Sequence, residues 1–225
     1  MTQDNPSKDN WGTIKQKLIE TKQQWAKEKR LITGTSGDRN QERLPPGQRE
    51  VKNWPVLDLG IQPDIAAQDW RLQVDGLVKK PVAWDWSKFQ QLPLREFVSD
   101  IHCVTAWSRF DNHWQGVATR AILDIVTPHD QARFVICHSY DGYTTNLTLA
   151  DFAAEDALLA VAWEGKPISR EHGGPVRVVV PKLYFWKSAK WLKRIEITDQ
   201  DKPGYWEVRG YHNRGDPWEE ERYGR

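Results

Sequence analysis

Cysteine is scarce. The 225-residue chain holds 2, Cys103 and Cys137, and neither sits in a C-x-x-C or a paired Cys/His spacing, which argues against a disulfide scaffold and a structural zinc site. Excess charge of one sign is missing as well. Lys+Arg total 32 and Asp+Glu 31, a formal net charge of +1 with histidine neutral, so the broad positive field of a nucleic-acid binder is lacking. No apolar run approaches the roughly 20 residues that span a bilayer. The opening Met-Thr-Gln-Asp-Asn-Pro-Ser-Lys-Asp-Asn has neither an apolar signal core nor a twin-arginine pair. These absences set the expectation of a soluble cytoplasmic protein with no transmembrane segment and no nucleic-acid partner. Neither a Walker loop nor G-x-G-x-x-G occurs, which argues against the common nucleotide folds.

Tryptophan, by contrast, is abundant, with 13 residues. Each buries about 150–250 Å², which lets a chain with 39% hydrophobic residues build an adequate core. Residues 1–44 are rich in Lys, Gln, Glu and Asn, with Ile14, Leu18, Ile19 and Trp25 as sparse apolar points. They form an N-terminal arm: either a short amphipathic helix lying on the domain or on a partner, or a solvated tail, followed by a flexible linker at Thr33-Gly34-Thr35-Ser36-Gly37. Leu44-Pro45-Pro46-Gly47 marks a boundary, and residues 45–225 form the domain.

Within the domain, period-two alternation predicts a strand at Trp70–Gly76, and β-rich segments recur at Phe97–Val104, Arg133–His138, Val176–Val180 and Arg194–Ile197. Short helical pieces fall at Thr119–Ile125 and Leu149–Ala154. The class is α+β, mixed β-sheets with surrounding short helices, ending in a charged, aromatic strap from about Asp199.

Three segments invite chemistry. Cys103 lies at a strand end, where a thiol is either a small buried hydrophobe or a ligand; His102 beside it points to the opposite face, so the two make no Cys-His pair. In His172-Gly173-Gly174-Pro175-Val176-Arg177 the glycines permit close backbone approach to a ligand and the arginine fork suits an anion. The bland alternative is a tight turn with Arg177 in an ordinary salt bridge. Pro181–Lys193 interleaves lysines with aromatics, read as core rings with solvated lysines.

Taken together, Asp100–Ser108, Asp141–Leu147, His172–Arg177 and Lys187–Lys190 resemble the molybdopterin-dependent oxidoreductases of the sulfite oxidase fold, over about residues 45–210, and most of all the short bacterial sulfite-oxidase-like proteins related to the catalytic subunit of methionine sulfoxide reductase. That resemblance implies a molybdenum-molybdopterin cofactor, with Cys103 as catalytic residue and metal ligand; a soft thiolate suits a metal already bound to sulfur. It further implies cofactor contacts at Asn53, Val56, Leu57, His138, His172, Arg177, Phe185, Trp186 and Lys187. The usual Asn that opens the glycine-rich loop is His172 here. No haem domain precedes and no immunoglobulin-like dimerisation domain follows, so the expectation is oxygen-atom transfer to or from a small S- or N-oxide or a sulfite-like substrate, with electrons exchanged with a separate partner. Arg109, His113, Arg120 and Tyr143 are candidates to line the substrate mouth. The competing readings are a non-catalytic binding module that keeps the fold, and a thiol redox protein using Cys103 and Cys137.

Overall fold

The computed structural model describes residues 7–28 and 43–224; the linker expected at Thr33–Gly37 lies outside them. Eleven strands form two sheets among the described residues. The first follows the path β1 (Arg49–Glu50), β5 (Trp107–Ala118), β8 (Leu158–Trp163), β10 (Arg177–Val179), with β4 (Leu94–His102) also on β5 and β9 (Lys166–Pro167) also on β8. The second runs β3 (Val82–Asp85), β2 (Arg71–Gly76), β11 (Leu192–Thr198), β6 (Phe134–Ser139), β7 (Thr144–Thr148). β11 is its centre, parallel to β2 and antiparallel to β6. Short helices α2 (Trp86–Phe89), α3 (Thr119–Val126) and α4 (Leu149–Phe152) accompany the sheets. No described helix is long and apolar enough to cross a membrane.

Alternation decides which face each strand buries. Leu72 and Val74 are fully buried while Arg71 and Gln73 face outward, as period two requires. One core cluster gathers these residues with Trp70, Val135, Ile195 and Ile197. The second is aromatic, with Trp54, Trp107, Trp114, Trp186 and Trp206 packed around Cys103 and Val104. Burying each such ring contributes on the order of 1.5–3 kcal/mol, so these tryptophans supply much of the second core.

Helix α1 (Ser7–Lys27) lies on the domain. Ile19 is buried in the second cluster, and Gln23 Nε2 donates to the Arg209 carbonyl at 2.6 Å. On other faces Gln16 reaches Glu20 at 3.0 Å and Gln24 reaches Glu28 at 2.8 Å, the i,i+4 pairing that steadies an exposed helix surface. The C-terminal strap closes from the other side: Arg222, buried, donates to the carbonyls of Val104 at 2.7 Å and Pro46 at 3.1 Å, and the Tyr223 hydroxyl reaches the Gln23 carbonyl at 3.3 Å.

Candidate active site

Strand β4 ends at His102, and the chain turns through Cys103-Val104-Thr105-Ala106 into β5. The Cys103 amide donates to Trp107 O at 2.8 Å, the Ala106 amide to Cys103 O at 3.1 Å, and Ala106 takes φ 67°. Gln48 Nε2 donates to the Cys103 carbonyl at 3.0 Å, so the hairpin tip is fixed from the residue before β1 as well. Main-chain anchoring of this kind holds the cysteine without using its sulfur. Among the described residues the Sγ meets the Thr105 hydroxyl, at 3.2 Å, and it lines a cavity, the concave setting in which small molecules and cofactors bind. Burial pushes the Cys103 thiol up; Thr105 first, then Arg222 and Lys22, act against it.

The cavity walls come from elements far apart in sequence. Trp54, Pro55 and Leu57 come from the segment after β1, Ser139 and Asp141 from the end of β6, Arg177 from β10, and Phe185, Trp186, Ser188 and Lys190 from the turn before β11. Arg177 is 1% exposed. Its guanidinium donates to the carbonyls of His172 at 2.7 Å, Ser188 at 2.9 Å and Val178 at 3.3 Å, and stacks over Phe185 at 4.2 Å. No carboxylate pairs with it among the described residues, so the ordinary salt bridge entertained from the sequence is not formed. Burial lowers its pKa to about 9. A buried cation satisfied only by neutral carbonyls on a cavity wall is built to meet an anion. Lys190, whose Nζ donates to Leu57 O at 2.8 Å and Glu171 O at 2.7 Å, is brought to about 7 by burial first and Arg177 second. The Ser139 hydroxyl, buried on the same wall, has no hydrogen-bond partner among the described residues.

Of the residues implied by resemblance, Leu57, Cys103, Arg177, Phe185 and Trp186 line the cavity. Asn53 and Val56 flank the lining residues Trp54, Pro55 and Leu57 without lining it themselves. His172 stands behind the wall, its ring stacked on Trp54 at 3.8 Å and 8°, its Nδ1 buried without a partner among the described residues. Burial, then Arg177 and Lys190, hold its pKa down to about 3, so the ring is neutral. His138 faces away: its Nε2 meets Glu196 at 3.1 Å across β11, and the next residue, Ser139, takes the cavity side, since neighbours on a strand alternate faces.

Lys187 is not the solvated lysine the aromatic run suggests. It is 0% exposed, and its Nζ donates to Glu207 Oε1 at 2.6 Å, Asn146 Oδ1 at 2.8 Å and Asn146 O at 2.9 Å, away from the cavity. Of the lysines in this segment Lys190, three residues on, lines it. The glycine pair also differs from expectation. A Cβ on Gly173 (φ +104°) would come within 2.7 Å of Lys190 Cβ, and one on Gly174 within 2.1 Å of the Ile168 carbonyl. The close approach is therefore to the protein's own backbone and side chain, and it seats Lys190 against the wall.

Among the candidates for the mouth, Tyr143 lines the cavity, its hydroxyl donating to Trp186 O at 2.6 Å. Arg109 instead binds Asn112 at 2.6 Å and Glu164 at 3.2 Å, while His113 and Arg120 are exposed on β5 and α3. Lys22, Asp58, Ser139, Asp141 and Lys190 are lining residues that the sequence did not reveal; the spacing of Lys190 from Lys187 was visible, but not which of the two faces inward.

A family model described as the oxidoreductase molybdopterin binding domain matches residues 59–206. The uncharacterized oxidoreductase YuiH of Bacillus subtilis (strain 168) is 48% identical over 182 residues, covering 80% of this chain and 92% of that one. The protein-methionine-sulfoxide reductase catalytic subunit MsrP of Campylobacter jejuni is 28% identical over 163 residues, covering 62% of this chain and 52% of that one. The chain thus spans about half the length of the sulfoxide-reductase relatives it matches. Among solved structures, the sulfane dehydrogenase SoxCD from Paracoccus pantotrophus aligns with a TM-score of 0.57 at 19% identity, covering 62% of this chain and 40% of that chain, a likeness of fold.

Proposed function

The chain belongs to the oxidoreductase molybdopterin-binding domain family, and from that premise we propose that it is the catalytic component of a reductase for small S- or N-oxides, fed with electrons by a separate protein. The observation that carries this reading is that Cys103 lines the same cavity as a buried Arg177 without a carboxylate partner among the described residues. The donor set fits the family's cofactor. A lone soft sulfur suits molybdenum already held by a pterin dithiolene, and Arg177, Lys190 and the unpartnered Ser139 hydroxyl suit its phosphate. Leu57, Phe185 and Trp186 would bound the pterin; Asn53, Val56 and His172 would support that wall from behind. When bound, the group supplies a redox metal that exchanges an oxygen atom and two electrons with a substrate.

The chain's own residues then define what enters. Trp54, Trp107, Trp206 and Tyr211 give the cavity an apolar wall that excludes water and strengthens each polar contact inside it. Arg109 and Arg120, put forward from the sequence for the mouth, do not line the cavity, and its apolar wall favours a small oxide with a hydrocarbon body. The overall reaction takes an oxide, two electrons and two protons to the reduced sulfur or nitrogen compound and water. The names of the sulfoxide-reductase relatives, a catalytic subunit and a reductase subunit, support a separate electron donor. Residues 45–225 are taken as the catalytic domain and residues 1–44 as an arm upon it.

Purification from a host that makes molybdopterin, followed by metal and pterin analysis and assays with reduced viologen plus dimethyl sulfoxide or ferricyanide plus sulfite, tests the proposal. Stoichiometric molybdenum and oxide reduction are expected. Folded protein devoid of molybdenum, or sulfite oxidation alone, would overturn it.

A further inference from the structure

Helix α1 does more than cover the domain. Lys22 reaches from it into the cavity that Cys103 also lines, where its ammonium donates to the Asp58 carbonyl. The helix is held in this position by buried Ile19, by Gln23 on the Arg209 carbonyl and by the Tyr223 hydroxyl on the Gln23 carbonyl. Its placement thus rests on three independent contacts, two of them with the C-terminal strap. Arg177 and Lys190, the other cations of the cavity, are fixed to carbonyls of the loops around Gly173 and of Ser188 and Leu57. Lys22 alone of the three cations comes from outside the residues matched to the family model, 59–206.

We propose that Lys22 is a specificity-determining residue that binds the oxygen of the substrate. An ammonium carries three donors. One goes to the Asp58 carbonyl, which fixes its direction, and donors remain for a negatively polarised oxygen bonded to sulfur or nitrogen. Leu59, Val104, Trp206 and Tyr211 surround the same space with apolar surface. With Arg177 and Lys190 held on carbonyls of their own surroundings, the Lys22 ammonium beside this apolar surface selects a small molecule with one electron-rich oxygen and a hydrocarbon body. This inference rests on the oxide-reductase reading and names the residue that would recognise the oxide.

The test uses the holoprotein and its Lys22→Met and Lys22→Arg variants. Molybdenum is measured by mass spectrometry. Dissociation constants for dimethyl sulfoxide and trimethylamine N-oxide are read from tryptophan fluorescence of the oxidised protein, without turnover, and kcat/KM is read with reduced viologen. Loss of one charge-assisted hydrogen bond in Lys22→Met is expected to weaken binding and lower kcat/KM by about 10- to 100-fold with molybdenum content unchanged. Lys22→Arg is expected to recover most of the loss. Binding and turnover in Lys22→Met within about twofold of wild type would overturn the inference, and so would its loss of molybdenum, which would make Lys22 a cofactor contact. Wild-type holoprotein that reduces neither oxide would refute the reductase reading instead, and the binding isotherms would still decide the role of Lys22.

Discussion

Replacing Lys187 with methionine separates two roles for a lysine that family resemblance places among the cofactor contacts. Its side chain is 0% exposed and that of Glu207 2%, with 2.6 Å between Nζ and Oε1. The same carboxylate oxygen accepts from Trp186 Nε1 at 2.9 Å and Thr145 Oγ1 at 3.0 Å, so one ion pair ties the β7 wall, the cavity residue Trp186 and the C-terminal strap together. Burial pulls the Lys187 pKa below the ordinary lysine value, with Glu207 pulling back. Lys187→Met keeps the aliphatic stem but strands the Glu207 charge without its cation. Breaking a buried pair from one side costs about 3–5 kcal/mol, against a total stability of about 5–15 kcal/mol. Urea unfolding of the cofactor-free chain, followed by tryptophan fluorescence, should therefore show a midpoint lowered by about a fifth or more of its value with little change in slope. The double variant Lys187→Met/Glu207→Gln removes both charges while leaving an acceptor for Trp186 and Thr145, and should recover more than half of the loss. A single variant within about 1 kcal/mol of wild type that nevertheless loses molybdenum would refute this reasoning and return Lys187 to the cofactor.

Further outcomes are expected. Cys103→Ser should abolish activity and weaken molybdenum retention without preventing cofactor loading, whereas Cys137→Ala should leave both unchanged, because Cys137 lies in the other core cluster with its thiol pushed up to about 12 by burial; activity and metal analysis of the two proteins distinguish them. Gly173→Ala, at φ +104° and with its new Cβ 2.7 Å from Lys190 Cβ, should cost about 1–3 kcal/mol in the same unfolding assay and weaken cofactor retention by displacing Lys190. The stability of the cofactor-free chain should rise from about pH 7 towards the ordinary lysine pKa of 10.5, since native Lys190 sits at about 7 and the unfolded chain binds the extra proton across that window. Pterin loading should reverse this by favouring the ammonium, which appears as proton uptake in calorimetry run in two buffers of different ionisation enthalpy.

Much of this architecture was legible in the sequence because it follows from local periodicity. The strand at Arg71–Gly76 alternates and helix α3 repeats as their burial requires, and the strands at Phe134–Ser139 and Leu192–Thr198 are β-rich runs. Strand β5 was not legible. Its inward positions include Ser108 and Asn112, both fully buried, and Asn112 is satisfied by Arg109, Trp163 and the Ser99 carbonyl, partners that no local pattern announces. The four motif segments located Cys103 and Arg177, whose neighbours carry the family resemblance. Lysine placement was opaque for a different reason. Whether Lys187 or Lys190 faces the cavity depends on Glu207 and Leu57, distant residues that compete for the two ammonium groups. Lys22 is further removed, since it reaches the cavity only because Ile19 and the strap dock α1.

The central claim is that the sulfur at the tip of the β4–β5 hairpin binds molybdenum. X-ray absorption at the molybdenum edge of the holoprotein, compared with Cys103→Ser reconstituted with cofactor, tests it most directly. The account predicts one fewer sulfur neighbour in the variant, and an unchanged sulfur shell would contradict it.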